Sequence, residues 1–191
     1  MTGRLLAALA SASRQYGGEP VSELAHSLQC ADLAEAAGAD EELVLASLLH
    51  DVGRFAVDPG LIDDGTESAT PASRGGRGHH DMGAALIAPH VSVRVAWLVR
   101  MHVPAKRYLC ATEPDYLGRL TPVSRHTLAL QGGIMTPGEV AALAAHPWLS
   151  AALSLRRWDD EAKVPDTATR PVDAWAPLLR RHLSDAPRAA S

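Results

Sequence analysis

Cysteine is nearly absent: Cys30 and Cys110 are the only two among 191 residues, and no CxxC spacing joins them. Neither a disulfide framework nor a thiolate metal site is expected. Aromatic residues make up 4% of the chain, with a single phenylalanine, and β-branched runs of strand length are almost missing. A sheet-based core therefore has little to build on. No apolar run approaches the ~20 residues of a membrane span. The net charge of -4 arises from interspersed acids and bases, which gives neither a nucleic-acid footprint nor a basic membrane face. No internal repeat or low-complexity tract is present. The apolar stretch at residues 4–12 is short and Ala-rich, and the polar Ser13-Arg14-Gln15 follows at once, so it reads as a helix rather than a signal segment. Free thiols in a soluble chain fit the reducing cytoplasm, which is the expected location.

What the chain does have is alanine and leucine at helical spacing, which predicts an all-α fold in a length suited to one domain. Leu5, Leu6 and Leu9 give a first helix ending near Tyr16-Gly17-Gly18. Leu24, Leu28, Ala31 and Ala34 give a second, over residues 21–37, stopped by Gly38. Asp40 caps a third that carries Leu43, Leu45, Leu48 and Leu49 into His50-Asp51. Residues 59–78 are rich in Gly, Asp, Ser and Thr without a period and read as a mobile loop. Helix resumes at His79, pauses at Pro89 and runs on to His102. Pro104 is predicted to sit in the first turn of a further helix, residues 105–111. A loop over 113–120 leads to a helix over 122–130 that Gly132-Gly133 ends. Thr136-Pro137-Gly138-Glu139 has the form of a capping box. Another helix leads to Trp158, with Asp159 at its boundary, and a last one covers residues 172–183. One domain over residues 1–183 and a disordered tail over 184–191 are expected.

The pair His50-Asp51 stands at the end of an apolar helix, where burial alone favours neither group. An unpaired buried carboxylate costs several kcal/mol or is neutralised, so a positive partner is needed nearby, and a cation is the economical one. Other residues of the same chemistry are spaced along the chain at His26, His79, His102 and Asp159. Taken singly each has an ordinary reading: His26 as a core histidine, His79 as a helix cap, His102 as a residue complementing the helix dipole. Together they form the order H…HD…H…H…D.

That order resembles the HD-domain superfamily, helical metalloproteins in which such residues converge from different helices. The likeness extends to Tyr16-Gly-Gly-Glu19, His26-Ser-Leu-Gln-Cys-Ala31, Leu48-Leu-His50-Asp51-Val-Gly53, His79-His-Asp-Met-Gly83-Ala84, His102-Val-Pro-Ala-Lys106-Arg-Tyr-Leu-Cys-Ala111, the stretch from Ser124 to Gln131-Gly-Gly, and Arg156-Arg-Trp-Asp159-Asp-Glu-Ala-Lys163. With these blocks the chain is similar to the mixed-valence di-iron oxygenases of phosphonate catabolism, relatives of inositol oxygenase. The resemblance implies a single HD-domain helical bundle. It implies two irons, Fe(II) and Fe(III), one held by His26, His50, Asp51 and Asp159 and the other by His79, His102 and a bridging Asp51. A carboxylate can bridge because its two oxygens carry separate lone pairs. His80 is the rival to His79, which is preferred because the family pattern of His, three residues and Gly is completed by Gly83. His90, His126, His146 and His182 match nothing.

The resemblance further implies that Lys106, Ser124, Gln131 and Arg156 meet a phosphonate, with Arg54 standing where the family often has histidine. Tyr16 and Glu19 match a pair that senses the substrate, the carboxylate meeting an amino group; a polar turn before a helix is the alternative. The implied reaction is dioxygen-dependent cleavage of a 1-hydroxyalkylphosphonate, 2-amino-1-hydroxyethylphosphonate giving glycine and phosphate. An HD-type phosphohydrolase would use His26, His50, Asp51 and Asp159 equally well. A non-catalytic ligand sensor on a metal scaffold is the third reading, and the complete residue set weighs against it.

Overall fold

The computed structural model describes residues 1–55 and 78–184. The loop expected over 59–78 and the tail expected over 184–191 lie outside the described residues, apart from Gly78 and Ser184. The chain forms helices α1 (Thr2–Ser11), α2 (Glu23–Ala36), α3 (Glu41–Leu49), α4 (Val52–Phe55), α5 (His79–Ile87), α6 (Val93–Thr112), α7 (Tyr116–Arg119), α8 (Pro122–Leu130), α9 (Pro137–Ala144), α10 (Leu149–Glu161) and α11 (Ala176–His182), the last preceded by a 3-10 turn at Val172–Trp175. Among the described residues there is no sheet, only an isolated bridge between Gln15 and Ser22. The all-α expectation holds. No described helix is long and apolar enough to cross a membrane.

Helix α3 is the axis of the packing. Every residue from Leu43 to Leu49 is buried, so it is apolar all round, as a helix enclosed by others must be. It packs against α2, α6, α10 and α11, while α6 also packs against α5 and α10. Ala31 and Ala34 of α2, Val95, Leu98 and Val99 of α6, and Leu155 of α10 close the same core. Side-chain caps set the helix starts. Ser22 accepts from Ala25 N, Asp40 from Leu43 N, Ser92 from Val95 N and Thr121 from Ser124 N, at 3.0–3.2 Å. The Thr136–Glu139 capping box is formed in full. Gly38 ends α2 and Gly132-Gly133 end α8, all with positive φ that an L side chain resists.

The elements differ from expectation in several places. Helix α1 stops at Ser11 instead of reaching Tyr16, and residues 12–22 fold back through Gly17 and Gly18 in left-handed backbone. Helix α6 runs unbroken through Pro104. The proline removes one backbone bond, at a cost of about 3 kcal/mol. Burial of Val99, Val103, Ala105 and Leu109 on both sides offsets that cost, at about 1.5–3 kcal/mol for each large aliphatic side chain. The loop expected at 113–120 contains α7, and Asp159 lies within α10, which continues to Glu161. The last helix starts as the 3-10 turn at Val172–Trp175.

One close approach positions the site. A Cβ added at Gly53 would overlap the His79 carbonyl oxygen and lie 2.7 Å from Gly83 N; one added at Gly83 would lie 2.8 Å from Gly53 N. Glycine at both positions lets α4 and α5 touch backbone to backbone, which brings His79 against the His50-Asp51 joint.

Candidate metal centre

Helix α2 supplies His26, the joint between α3 and α4 supplies His50 and Asp51, the first turn of α5 supplies His79, α6 supplies His102 and the last turn of α10 supplies Asp159. All but His79 are at most 2% exposed. Two clusters share Asp51. On one side His26 Nε2 lies 3.1 Å from His50 Nε2, and these lie 3.8 and 3.4 Å from Asp51 Oδ2. Asp159 Oδ1 is 3.3 Å from His26 Nε2. On the other side His79 Nε2 lies 3.1 Å from His102 Nε2, and these lie 3.1 and 3.6 Å from Asp51 Oδ1. His26, His50 and Asp51 form one group able to hold an ion, and Asp51, His79 and His102 form another.

The hydrogen bonds fix how the rings are used. Nδ1 of His26 donates to Ala162 O, that of His50 to Ser47 O and that of His102 to Val99 O, each at 2.7 Å. Rings held this way turn Nε2 inward, where imidazole nitrogen faces imidazole nitrogen and carboxylate oxygen. Both Asp51 oxygens and Asp159 Oδ1 are buried and accept no hydrogen bond from any described residue. Buried carboxylate oxygens left in this way demand positive charge beside them. Ligands about 2.0–2.2 Å from a shared cation stand about 3–3.5 Å from one another, close to the separations found. The residues fit a pair of cations, and imidazole with carboxylate but no thiolate suits iron or manganese better than structural zinc.

Electrostatics divide the rings: burial opposes a charge on His50, yet the Asp51 carboxylate holds its imidazole well above the usual range, so positive charge is called for at that position. Burial pushes His102 well below the usual imidazole range and lowers His79, leaving both neutral and available as ligands. Burial opposes ionisation of Asp51, yet the His50 and His79 rings hold its carboxyl well below the usual range. Asp159 is likewise held low against burial, chiefly by Arg156. His80 stays outside both clusters. Its Nε2 faces Asp81 at 3.6 Å, and its Nδ1 meets no described partner.

Two buried cationic side chains adjoin the cluster. Lys106, one turn after His102 on α6, is 2% exposed and donates to Thr127 Oγ1 at 2.9 Å and to Ser124 O at 3.5 Å. Burial pulls its ammonium down to about 7. Arg156 is also buried, but its guanidinium is committed: Nη1 donates to Asp159 Oδ2 at 2.5 Å, Nε to Tyr116 Oη at 3.1 Å, and Nη2 to Asp160. It grips the outer oxygen of Asp159 and leaves the inner one facing His26. Gln131 is the C-cap of α8, and its buried Oε1 accepts nothing from the described residues.

The Tyr16 ring stacks on His26 with centroids 3.9 Å apart, and the Arg54 guanidinium lies 5.0 Å over that ring. Burial, then Asp51 and Asp159, raise the Tyr16 phenol well above its usual value, so it stays protonated. Arg54 Nε is 3.4 Å from Glu23 Oε1. Glu19 is buried and accepts from Thr121 Oγ1 at 2.6 Å. Thr121, Thr127, Tyr116, Asp160, Lys163 and Glu23 carry contacts that motif reading missed. Asp160, one turn after Arg156, and Lys163, four residues after Asp159, gave a spacing signal.

Comparison with known proteins gives this geometry a family. Residues 24–129 match the family described as HD domain. The chain is 39% identical over 168 residues to [1-hydroxy-2-(trimethylamino)ethyl]phosphonate dioxygenase (glycine-betaine-forming) of Leisingera caerulea, covering 87% of this chain and 82% of that protein. It is 39% identical over 151 residues to hydroxymethylphosphonate dioxygenase of Gimesia maris, covering 79% and 72%. It is 31% identical over 171 residues to the uncharacterized protein L432 of Acanthamoeba polyphaga mimivirus, covering 89% and 75%. A paired imidazole–carboxylate centre, the HD match and these two identities lead to one conclusion: the chain belongs to the HD-domain family, in the branch that contains the phosphonate dioxygenases.

Proposed function

We propose that the protein is a dioxygenase that cleaves the carbon–phosphorus bond of a 1-hydroxyalkylphosphonate, with two irons as cofactor held by His26, His50, Asp51, His79, His102 and Asp159, and that 2-amino-1-hydroxyethylphosphonate is its substrate. The observation that carries this reading is the placement of Asp51, whose two oxygens face separate imidazole pairs. The first relatives point the same way, since both are named for dioxygenase action on a hydroxyphosphonate.

The reaction balances with dioxygen alone. The C1–H and C1–P bonds break, both oxygen atoms are taken up, and the products are glycine and phosphate. When bound, the iron pair supplies the Lewis acidity and the electron exchange with dioxygen. The residues of the chain hold the substrate in place. Lys106, with Ser124 beside it and Gln131 at the end of the same helix α8, meets the phosphonate oxygens as a buried donor in a low-dielectric wall. Arg156 adds positive charge from behind while keeping Asp159 oriented. Glu19 takes the substrate ammonium, and Arg54 with Tyr16 covers the entrance over His26. Fixing both ends of so short a molecule holds C1 beside the Asp51 cluster, where positioning alone is worth several kcal/mol.

The test is oxygen consumption and phosphate release with hydroxyphosphonates, iron present. Equimolar oxygen uptake and phosphate is the expected result. Phosphate release under argon would make the protein a hydrolase instead.

A further inference from the structure

The proposed ammonium site already contains an ammonium. Lys163 Nζ lies 3.7 Å from Glu19 Oε1, and both side chains are more than nine-tenths buried. The separation is that of an ion pair without a hydrogen bond. The short hydrogen bond of Lys163 goes elsewhere, to Ser124 Oγ at 3.0 Å, and Asp160 Oδ1 stands 3.8 Å away as a second counter-charge. Glu19 in turn keeps Thr121 as its donor. Neither partner is stranded when their mutual contact is lost. The lysine sits at the end of α10, one turn beyond Asp159, between a candidate phosphonate contact and the candidate ammonium contact.

We propose that Lys163 is a specificity-determining residue: an internal counter-ion that competes with a substrate cation for Glu19 and so sets how strongly the pocket prefers cation-bearing hydroxyphosphonates. This rests on the proposed function of the site. A substrate with an ammonium group replaces Lys163 at Glu19, and Lys163 stays on Ser124 and Asp160. A substrate without a cation leaves the Glu19–Lys163 pair intact, so no buried carboxylate is left uncompensated, which would otherwise be costly. The pair thus lets one pocket accept both kinds, at the expense of discrimination between them. Removing the lysine removes the competitor and sharpens the preference for cations.

The test is calorimetric binding of 2-amino-1-hydroxyethylphosphonate and of hydroxymethylphosphonate under argon, so that no turnover is needed, with iron-loaded protein. Lys163→Met and Lys163→Gln are expected to raise the affinity ratio in favour of the amino compound by about tenfold, within the range of coupling between residues in contact. Lys163→Arg should restore the original ratio. In a Glu19→Gln background Lys163→Met should leave the ratio unchanged. Equal loss for both ligands in Lys163→Met would make the lysine a plain phosphonate contact and overturn the proposal, as would an unaltered ratio. Failure of the unsubstituted protein to bind either compound would overturn the proposed function instead.

Discussion

Gly53→Ala should damage the centre without touching any donor atom. The added Cβ overlaps the His79 carbonyl and comes within 2.7 Å of Gly83 N, both of them backbone atoms that cannot rotate away. Restoring ordinary contact of about 3.5 Å requires α4 and α5 to part by on the order of 1 Å. Overpacking of this kind costs about 1–3 kcal/mol. At about 2–4 °C per kcal/mol for a chain of this size, the melting temperature should fall by about 2–12 °C. His79 rides on the displaced helix, and its Nε2 starts 3.1 Å from Asp51 Oδ1, so the His79–His102–Asp51 cluster opens while the His26–His50 side keeps its geometry. An ion on the opened side should be held about 10–100-fold more weakly, as when a metal site loses its orienting contacts. Thermal melting and metal analysis of the purified variant measure both effects. Gly83→Ala, with nearest approaches of 2.8 and 2.9 Å, should do less harm, and Gly138→Ala, with nothing within 4 Å, should stay within about 0.5 kcal/mol. A Gly53→Ala protein with unchanged melting and full metal content would refute the reasoning.

Lys106 is expected to make phosphonate affinity fall as pH rises through about 7, where its buried ammonium loses its proton, and Lys106→Met should flatten that profile in anaerobic titrations. The same depressed value means that the unfolded chain binds more protons between about 7 and 10, so this group makes the protein more stable as pH rises through that window; urea melts across it give the sign. His79→Ala should lose metal whereas His80→Ala should retain it, and metal analysis of the pair decides between the two histidines. Asp51→Asn replaces an acceptor of both clusters with an amide that carries hydrogen towards one side, and it should abolish binding of both ions. Stripping metal from the unaltered protein with a chelator should lower its melting temperature, by the equivalent of about 2.7 kcal/mol when the free ion had stood at a hundred times its dissociation constant.

Four residues of the paired cluster stand in a local pattern: a His-Asp doublet ending an apolar helix, a histidine spaced from Gly83, a histidine one turn before a lysine. His26 and Asp159 have none and joined the set only through the resemblance to the HD-domain family. What local pattern could not carry was anything decided by distant partners. Pro104 reads as a helix start by its own chemistry, and only burial on both sides of it makes α6 continuous. Arg156 is expected to meet a phosphonate, but Tyr116, Asp159 and Asp160 occupy its donors, and the tyrosine comes from α7, inside an expected loop. Glu19 meets Thr121 across 102 positions and Lys163 across the fold, contacts with no signature in either neighbourhood.

Continuity of α6 has a further consequence. His102 and Lys106 stand on one rigid rod, a turn apart, so the interval between that imidazole and a buried ammonium works as a fixed gauge. Under the proposed function a substrate's headgroup must match that gauge, and longer or bulkier molecules are admitted at the other end, where Glu19 and Tyr16 come from the turn before α2. Diversification towards new phosphonates should therefore concentrate in residues 12–22 and spare the gauge.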